Sequence, residues 1–190
     1  MRQASTVNFD ELAQVVRTRR TSMLVDRNRP IPTDVVAQLC ELVQWAPNHK
    51  RTWPARFAAV QADARVRLGN VIADVLERQG EPPEKVVKTR GKYLRTPLTL
   101  VVGSAVGDSV LRTAENRDAV AAGIQNLLLG ATTLGLCSFW GSCSKGANDA
   151  VAQLCEFPPD THVSALIYLG WKSGSVETPS RPPAAINWLS

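Results

Sequence analysis

The chain has 190 residues, with 22 Lys and Arg against 17 Asp and Glu, a formal net charge of +5 and 44% hydrophobic residues. These proportions are those of a folded globular protein and exclude a disordered, collagen-like or coiled-coil chain. The length predicts one domain, residues 1–190, whose hydrophobic core needs no disulfide framework.

Hydrophobic periodicity predicts a series of helices and one short strand in the first half of the chain. Asn8 and Glu11 form a capping-box pattern that opens a helix over 9–20. A second helix begins at residue 32 and is stopped by Pro47. We expect a strand over 57–60, and then helices over 63–79 and, strongly basic, over 84–94.

The second half of the chain contains the strand and the helix that are most clearly buried. Residues 98–102 form a nearly continuous apolar run, which predicts a central strand buried on both faces. Residues 114–134 are apolar around most of the helix circumference, so this helix is expected at the centre of the fold or between subunits. Strands over 136–140 and 163–171 flank a helix over 148–156. With no repeat and no long linker, the fold class is α+β with one central sheet.

The excess positive charge lies entirely in the first 70 residues, which carry eleven Lys and Arg against six Asp and Glu. Such charge could bind nucleic acid, or it could receive the phosphate of one small molecule. The sequence has no helix-turn-helix signature, zinc finger or RNP-type aromatic strand. A phosphate pocket is therefore the preferred interpretation, and nucleic-acid binding through this basic region stays an alternative.

The cysteines and the N-terminal segment indicate the compartment. The four cysteines form no CxxC pair and have no histidine at ligand spacing, which argues against a metal site. Residues 1–8 are polar, unlike a secretory signal, and no apolar run approaches the length that spans a bilayer. We therefore expect a cytoplasmic protein with reduced thiols, no bound metal and no membrane segment.

Common cofactor and nucleophile motifs are missing from the sequence. It contains no GxGxxG after a strand, no GxxxxGK[ST] and no GxSxG, so the Rossmann, Walker and hydrolase interpretations lose their usual support. The two histidines, His49 and His162, are too few for most histidine-based metal sites.

Four short clusters remain as candidates for a binding site. The first, Arg19, Arg20, Thr21 and Ser22, offers two guanidinium groups and two hydroxyls to a phosphate. Its alternative interpretation is a solvated basic helix end that the helix dipole favours. The second cluster, residues 45–57, concentrates polar donors beside an aromatic, or is simply a helix stop with exposed polar residues.

The other two clusters follow in the second half of the chain. Residues 135–144 end a strand in small residues that let a backbone approach a ligand closely, although Trp140 could equally be a core aromatic. Arg181 comes after Gly170, Trp171 and Lys172, in a Pro-rich tail that could wrap over a neighbour.

In their order and spacing these clusters resemble the nitroreductase family of flavin proteins, especially its small single-domain members. The family combines an RRS-type helix end, an APxHKxxxPWRF segment and a GxxxxW[RS]S segment, and the matching residues here are 19–21, 46–57 and 135–142. The resemblance covers nearly the whole chain, including Gln125 and Asn126 in the buried helix and residues 168–170 in the final strand.

This resemblance implies a nitroreductase-like fold, with a central mixed β-sheet flanked by helices, in an intertwined homodimer that holds FMN at the subunit interface. Arg19, Arg20 and Thr21 would match positions that receive the FMN phosphate and ribityl chain, with Arg181 as a further phosphate ligand. Residues contributed by the other subunit would be Trp45 and His49. The segment near the flavin ring would be Trp140, Gly141 and Ser142.

Three departures from the family pattern limit what carries over. Thr21 replaces the usual serine and keeps the hydroxyl. Ala55 stands where the family commonly has the Trp of PWRF, which could reshape the pocket wall. Met23 and Leu24 occupy a region where many members have a Lys or Arg that supports negative charge on the reduced flavin. Lys50, Arg51 or Lys145 could substitute for that cation.

The implied function is that of an FMN-dependent NAD(P)H oxidoreductase, in which NAD(P)H is the co-substrate and no protein residue serves as a catalytic acid or base. Hydride would pass through flavin N5 to a nitroaromatic, a quinone or an activated alkene by a ping-pong mechanism, since the flavin performs the difficult chemistry. The missing cation near Met23 motivates an alternative, an FMN storage or sequestration protein with little reductase activity.

Overall fold

The computed structural model describes residues 8–189, and within this range it contains every helix and strand expected from the sequence. The helices are α1 (Phe9–Thr18), α2 (Thr33–Gln44), α3 (Ala64–Arg78), α4 (Pro83–Arg90), α5 (Val110–Thr133) and α6 (Asn148–Leu154). The strands are β1 (Ala55–Gln61), β2 (Leu98–Ala105), β3 (Leu136–Gly141) and β4 (Thr161–Trp171).

The four strands form one sheet in the order β1-β2-β4-β3. β2 is an inner strand and is buried along all but its last residue, which confirms the central strand predicted over 98–102. The sequence predicts a mixed sheet, but the three ladders are all antiparallel. Between residues 8 and 189 the parallel pairing is confined to an isolated bridge between Thr21 and Ser138. An apolar run is compatible with either strand direction, so hydrophobicity alone does not fix it.

Helices cover both faces of the sheet. α2 and α5 pack on one face, against side chains that include Leu100 and Ile167. α3, α4 and α6 pack on the other face, around Val101 and Leu166. Because successive residues of a strand point to opposite faces, a strand covered on both sides is apolar along its whole length.

The first helix begins as predicted and ends earlier than predicted. The Asn8 side chain accepts a hydrogen bond from the Glu11 amide, and the Glu11 carboxylate accepts one from the Asn8 amide, which confirms the capping box. Arg19 leaves the helical conformation with a ψ of 128°, so the helix ends at Thr18 rather than at residue 20. The basic cluster therefore lies in an extended segment and not in a helical turn.

The basic helix expected over 84–94 is interrupted. α4 ends at Arg90, Gly91 caps it, and Lys92–Arg95 form a separate 3-10 turn. Glycine is a poor continuation residue for a helix because it gains no side-chain contact and loses much backbone entropy. The break places Tyr93 inside the core, where it is 1% exposed.

α5 packs closely on α2 and leaves part of its apolar surface uncovered. A Cβ at Gly123 would lie 2.6 Å from the Val43 carbonyl oxygen, so the close approach of the two helices requires glycine. Ile124 and Leu127 are buried on this side, whereas Ala121 on another side is exposed. The chain thus covers only one side of a helix whose sequence is apolar around most of its circumference.

Large apolar side chains are exposed at the two ends of the described chain. On α1 Phe9 is 76% exposed and Leu12 is 52% exposed, and in the tail Trp188 is 86% exposed. α1 has no buried residue, and the tail after Ser173 forms no helix or strand up to residue 189. Across residues 8–189, no helix combines the length and the hydropathy needed to cross a membrane.

Candidate functional site

The basic cluster lies along the outer edge of β3. Thr21 forms a parallel bridge with Ser138, and the Ser22 amide donates a hydrogen bond to the Ser138 carbonyl oxygen at 3.0 Å. Ser22 is 7% exposed and Thr21 is exposed. The extended segment after α1 therefore fixes Arg19 and Arg20 next to the strand that carries Trp140.

Arg20 lines a cavity of about 300 Å³ between this segment, the turn from α5 into β3 and the residues after β4. The cavity wall also contains Lys172 and the hydroxyl-bearing residues Thr18, Ser22 and Thr132. One Arg20 nitrogen donates a hydrogen bond to the Arg19 carbonyl oxygen, and the buried Arg20 Nε has no hydrogen-bond partner within residues 8–189.

The donors in this cavity fit a phosphate group. The cationic side chains of Arg20 and Lys172 and the residue Ser22 line one small volume, whereas the hydroxyls of Thr18 and Thr132 donate to carbonyl oxygens of their own helices. An unpaired buried guanidinium nitrogen is costly unless an acceptor satisfies it. The structure therefore brings Arg20 together with Lys172, which the sequence analysis did not select. The sequence signal for Lys172 was its position directly after the final strand, beside Gly170 and Trp171.

The tail passes this cavity before it reaches Arg181. Gly174 and Val176 line the cavity wall, whereas Arg181 itself is exposed and forms no side-chain hydrogen bond with residues 8–189. The chain thus carries Arg181 past the cavity without placing its guanidinium group inside it. A phosphate contact from Arg181 stays a prediction.

Trp140, Gly141 and Ser142 end the edge strand β3. Trp140 is 39% exposed and lines a groove of about 280 Å³ with Arg117, Asp118 and His162. Burial, followed by the nearby charge of Arg117, lowers the pKa of His162. Trp140 is therefore a half-exposed wall residue and not the core aromatic that was the alternative interpretation.

An aromatic cluster supports the other side of this strand end. Tyr168 stacks on Tyr93 with ring centroids 5.6 Å apart, and Phe139 meets Tyr168 edge-on at 5.7 Å. A Cβ at Gly141 would lie 3.1 Å from the Tyr168 ring, so glycine permits this close packing. Met23 packs against the same apolar cluster.

The cations nearest to this cluster come from the 3-10 turn after α4. Lys92 Nζ lies 5.8 Å from the Tyr93 ring centroid, and Arg95 Cζ lies 5.9 Å from that of Tyr168. Burial lowers the pKa of Lys92, and the charge of Arg95 lowers it further, while Cys143 acts in the opposite direction. No sequence pattern marks this pair, because only the fold brings it to the strand end.

Trp45 and His49 do not line the Arg20 cavity in the single chain. Trp45 is 75% exposed, and its Nε1 donates a hydrogen bond to the Glu41 carboxylate at 2.6 Å. His49 lies in the 3-10 turn His49–Arg51, and its Nδ1 is 2.8 Å from Glu115 Oε1. Their predicted role as residues given to a partner subunit stays a prediction.

A larger cavity contains none of the predicted site residues. It has a volume of about 540 Å³ and lies between α6 and the start of β4, with Asp149, Asp160 and His162 in its wall. Two carboxylates make it unsuited to a phosphate, because like charges repel. The Arg20 cavity remains the better phosphate site.

Two departures from the expected pattern have structural counterparts. Ala55, at the position of the PWRF tryptophan, is 8% exposed and packs in the cluster between the sheet, α2 and α5. The nearby Trp53 is half-exposed and shares a small cavity with it. Of the cations that could replace one near Met23, Lys50 and Arg51 lie instead beside His49 in the 3-10 turn.

A protein-family model described as the nitroreductase family matches residues 16–171 of the chain. One curated relative, from Bacillus subtilis, bears the name of a candidate NAD(P)H nitroreductase, YfhC. It is 26% identical over 176 residues, which are 90% of each chain.

Solved structures share the fold. A nitroreductase-like family protein from Bacillus cereus superposes with a TM-score of 0.75 at 22% identity, covering 94% of this chain and 95% of its own. A nitroreductase with bound FMN from Bacteroides fragilis gives a TM-score of 0.71 at 20% identity, covering 97% and 100%. These similarities establish the α+β architecture predicted for the chain.

Proposed function

The chain belongs to the nitroreductase family, and from this premise we propose that it is an FMN-dependent NAD(P)H oxidoreductase acting on nitroaromatic, quinone or similar acceptors. The observation that carries the proposal is the cavity in which Arg20 and Lys172 converge, with Arg20 Nε buried and unpaired within the described chain. The Bacteroides fragilis relative that holds FMN in its structure supports the same cofactor here.

The cationic cavity is proposed to hold the FMN phosphate. A phosphate dianion requires fixed positive donors, and guanidinium and ammonium groups form stronger hydrogen bonds to it than neutral donors do. Arg20, Lys172 and the Ser22 hydroxyl would supply these contacts, with Arg19 and Thr21 alongside. Arg181 would add a contact if the tail folds back over the cavity.

The end of β3 is proposed to hold the flavin ring. It offers flat apolar surface at Trp140, the backbone of Gly141 and the Ser142 hydroxyl, a combination of apolar contact and directed hydrogen bonds that suits a cofactor ring. The bridge between Thr21 and Ser138 joins this wall to the phosphate cavity. One rigid strand edge would therefore orient both ends of the cofactor.

A homodimer is proposed because the single chain leaves too much apolar surface uncovered. α1 exposes Phe9 and Leu12, and the first turn of α5 exposes Val110 and Leu111, at 91% and 70%. Large apolar side chains left exposed on both helices support a subunit interface. Burying it in a dimer would also bring Trp45 and His49 of one chain to the site of the other.

When bound, FMN would accept hydride from NAD(P)H at its N5 atom and pass it to the second substrate, which gives ping-pong kinetics. The chain's own residues would bind and orient the cofactor. Arg20 and Lys172 would anchor its phosphate end, and the packed aromatic residues at the end of β3 would keep water from its ring end. No catalytic acid or base is assigned. The free cysteines agree with the proposed cytoplasmic location.

A second candidate function is FMN storage with little reductase activity. Met23 favours it, because the side chain packs in an apolar cluster where many family members carry a cation. Lys92 and Arg95 beside the same cluster favour the enzyme, since a cation near the ring would stabilise charge that develops on reduction.

Anaerobic reduction of the purified yellow protein tests the enzyme against the storage protein. NADH and NADPH are added in separate experiments while the absorbance near 450 nm is followed. The enzyme is supported if the absorbance bleaches and returns when a nitroaromatic or a quinone is added. A yellow protein that neither coenzyme bleaches is a storage protein, and a protein that takes up no FMN refutes both.

A further inference from the structure

A chain of three polar side chains joins His49 to the first turns of α5. One oxygen of Glu115 lies 2.8 Å from His49 Nδ1, and the other accepts a hydrogen bond from Arg112 at 2.7 Å. The side chains of Arg112 and Glu115 are 16% and 25% exposed, whereas that of His49 is 58% exposed. The two covered residues therefore hold an outward-facing imidazole from behind.

The segment that carries His49 is held to α5 at a second point. Thr52 donates a hydrogen bond to the buried Asn116 side chain at 2.7 Å, and Asn116 donates one to the Ala105 carbonyl oxygen at 3.0 Å. The Asn48 side chain donates a hydrogen bond to the Thr52 hydroxyl at 3.2 Å. These bonds tie the turn to the helix and to the end of β2.

The backbone of this segment is strained. Lys50, Arg51 and Trp53 have φ values of 58°, 53° and 48°, in the left-handed region that residues other than glycine rarely adopt. Such conformations persist only where surrounding contacts impose them, and they cluster at functional sites. The contacts to Glu115 and Asn116 hold this segment, together with the hydrogen bond that the Trp53 amide donates to the Asn48 side chain.

The chemistry of the pair fixes which imidazole nitrogen carries the proton. A carboxylate only accepts hydrogen bonds, so His49 Nδ1 must carry the hydrogen that it shares with Glu115. In the neutral imidazole the other nitrogen, Nε2, is then an acceptor. No hydrogen bond to Nε2 is formed by residues 8–189, so this atom is free to meet a ligand from outside the chain.

We propose that Glu115, held by Arg112, is a positioning residue that locks the ring and the tautomer of His49 so that Nε2 presents a hydrogen-bond acceptor to the flavin across the subunit interface. The inference rests on the proposed function, which supplies the flavin. An ion pair at the surface usually contributes little to stability. A pair without a further role would not explain why the turn that carries His49 keeps a strained backbone.

Nitrogen NMR of the full-length protein tests the tautomer directly. The chain has only two histidines, so two imidazoles are to be assigned. At a pH where His49 is neutral, the wild-type protein is expected to show the Nδ1–H tautomer, with or without FMN. Glu115→Ala should move most of the population to the Nε2–H form that prevails in unconstrained histidine. An unchanged Nδ1–H tautomer in this variant would overturn the proposal.

FMN binding supplies the second readout, through a double-mutant cycle. Glu115→Ala and His49→Ala should each raise the FMN Kd about tenfold, and the double variant should be no worse than either, because Glu115 acts through His49. Additive losses, roughly a hundredfold in the double variant, would mean an independent structural role and contradict the proposal. Glu77→Ala, which removes an exposed ion pair with Arg90 elsewhere, is the matched control and should change neither readout.

A second variant at Glu115 and the tautomer measurement without FMN cover the cases in which the first experiment fails. If Glu115→Ala does not fold, Glu115→Gln keeps the size of the side chain but can accept or donate, so a mixture of tautomers is expected. A single Nδ1–H form with unchanged Kd would again overturn the proposal. If the wild-type protein takes up no FMN, the proposed function fails and so does the presentation of Nε2 to a flavin, whereas the tautomer still reports whether Glu115 positions His49.

Discussion

Thr21 and Ser138 form a parallel bridge between the two parts of the candidate site. It joins the segment after α1 to the outer edge of β3, close to the end of the strand at Trp140. Arg20 on one side of the bridge turns into a cavity with Lys172, and the small residues Gly141 and Ser142 lie beyond it. The phosphate and the ring of one cofactor would therefore bind along one strand edge.

Replacing Arg19 and Arg20 together by alanine should weaken FMN binding much more than it weakens folding. Hydrogen bonds to charged groups contribute roughly 1.5–3 kcal/mol each, so the FMN Kd should rise at least about tenfold. Equilibrium titration by flavin fluorescence measures it. Arg17→Ala, in the last turn of α1 and outside the cavity wall, is the matched control and should bind FMN normally.

Lys172→Ala tests the residue that only the structure revealed. This substitution should also weaken the binding of FMN. It should leave the affinity for riboflavin, which is much weaker, nearly unchanged because riboflavin lacks the phosphate. Isothermal titration with both ligands compares the two effects. Equal losses for FMN and riboflavin would show that Lys172 does not contact the phosphate.

Leu12→Glu should separate the subunits. Leu12 is 52% exposed on a helix with no buried residue, so the charge costs little in the single chain but is unfavourable in an apolar interface. Light scattering after size exclusion should show a shift toward the monomer, with loss of bound FMN. A variant that stays dimeric would place the interface away from α1.

Gly123→Ala should destabilise the fold, whereas Gly91→Ala should not. A Cβ at Gly123 would meet the Val43 backbone, and overpacking of this kind costs about 1–3 kcal/mol. Gly91 has open space around its Cβ position and a helical φ of −90°, so alanine there should raise stability by about 0.4–1 kcal/mol. Urea denaturation measures both, and equal effects would contradict the packing of α5 on α2.

Alkaline pH should destabilise the protein through three half-buried thiols. Burial raises the pKa of Cys40, Cys143 and Cys155 to about 11 from an ordinary value of 9.0. Between pH 9 and 11 the unfolded chain releases these protons first, so the free energy of unfolding falls as pH rises. Each thiol contributes at most about 2.7 kcal/mol, reduced by its exposed part.

Urea denaturation at pH 8, 9, 10 and 11 follows this loss. Replacing the three cysteines by alanine should flatten the decline. Part of it should remain, because burial also raises the pKa of Tyr93 and Tyr168. A variant whose stability falls as steeply as that of the wild-type protein would assign the pH dependence to other groups.

The sequence predicted the elements well because their signals are local. The Asn8 and Glu11 capping box and the apolar run of β2 depend on neighbouring residues alone, and both are confirmed. Strand direction depends on long-range pairing, and the mixed sheet predicted from the family is antiparallel in its three ladders.

The site was predicted less completely for the same reason. Arg20 was selected because it lies in a dense basic cluster, whereas Lys172 is a single lysine whose partner is far away in sequence. Glu115 has no motif around it, and only the approach of the His49 turn to α5 reveals it. A site between two subunits is incomplete in one chain. Trp45, which would contribute to the site of the other subunit, therefore does not reach the Arg20 cavity of its own chain.

Sedimentation equilibrium of the FMN-loaded protein, recorded at 280 nm and near 450 nm, shows whether a dimer holds the flavin. The yellow absorbance is expected to sediment with a particle of twice the 20.7 kDa chain mass and one FMN per subunit. FMN bound tightly to a monomer, or a colourless dimer that takes up no FMN in excess, would refute the proposed shared site.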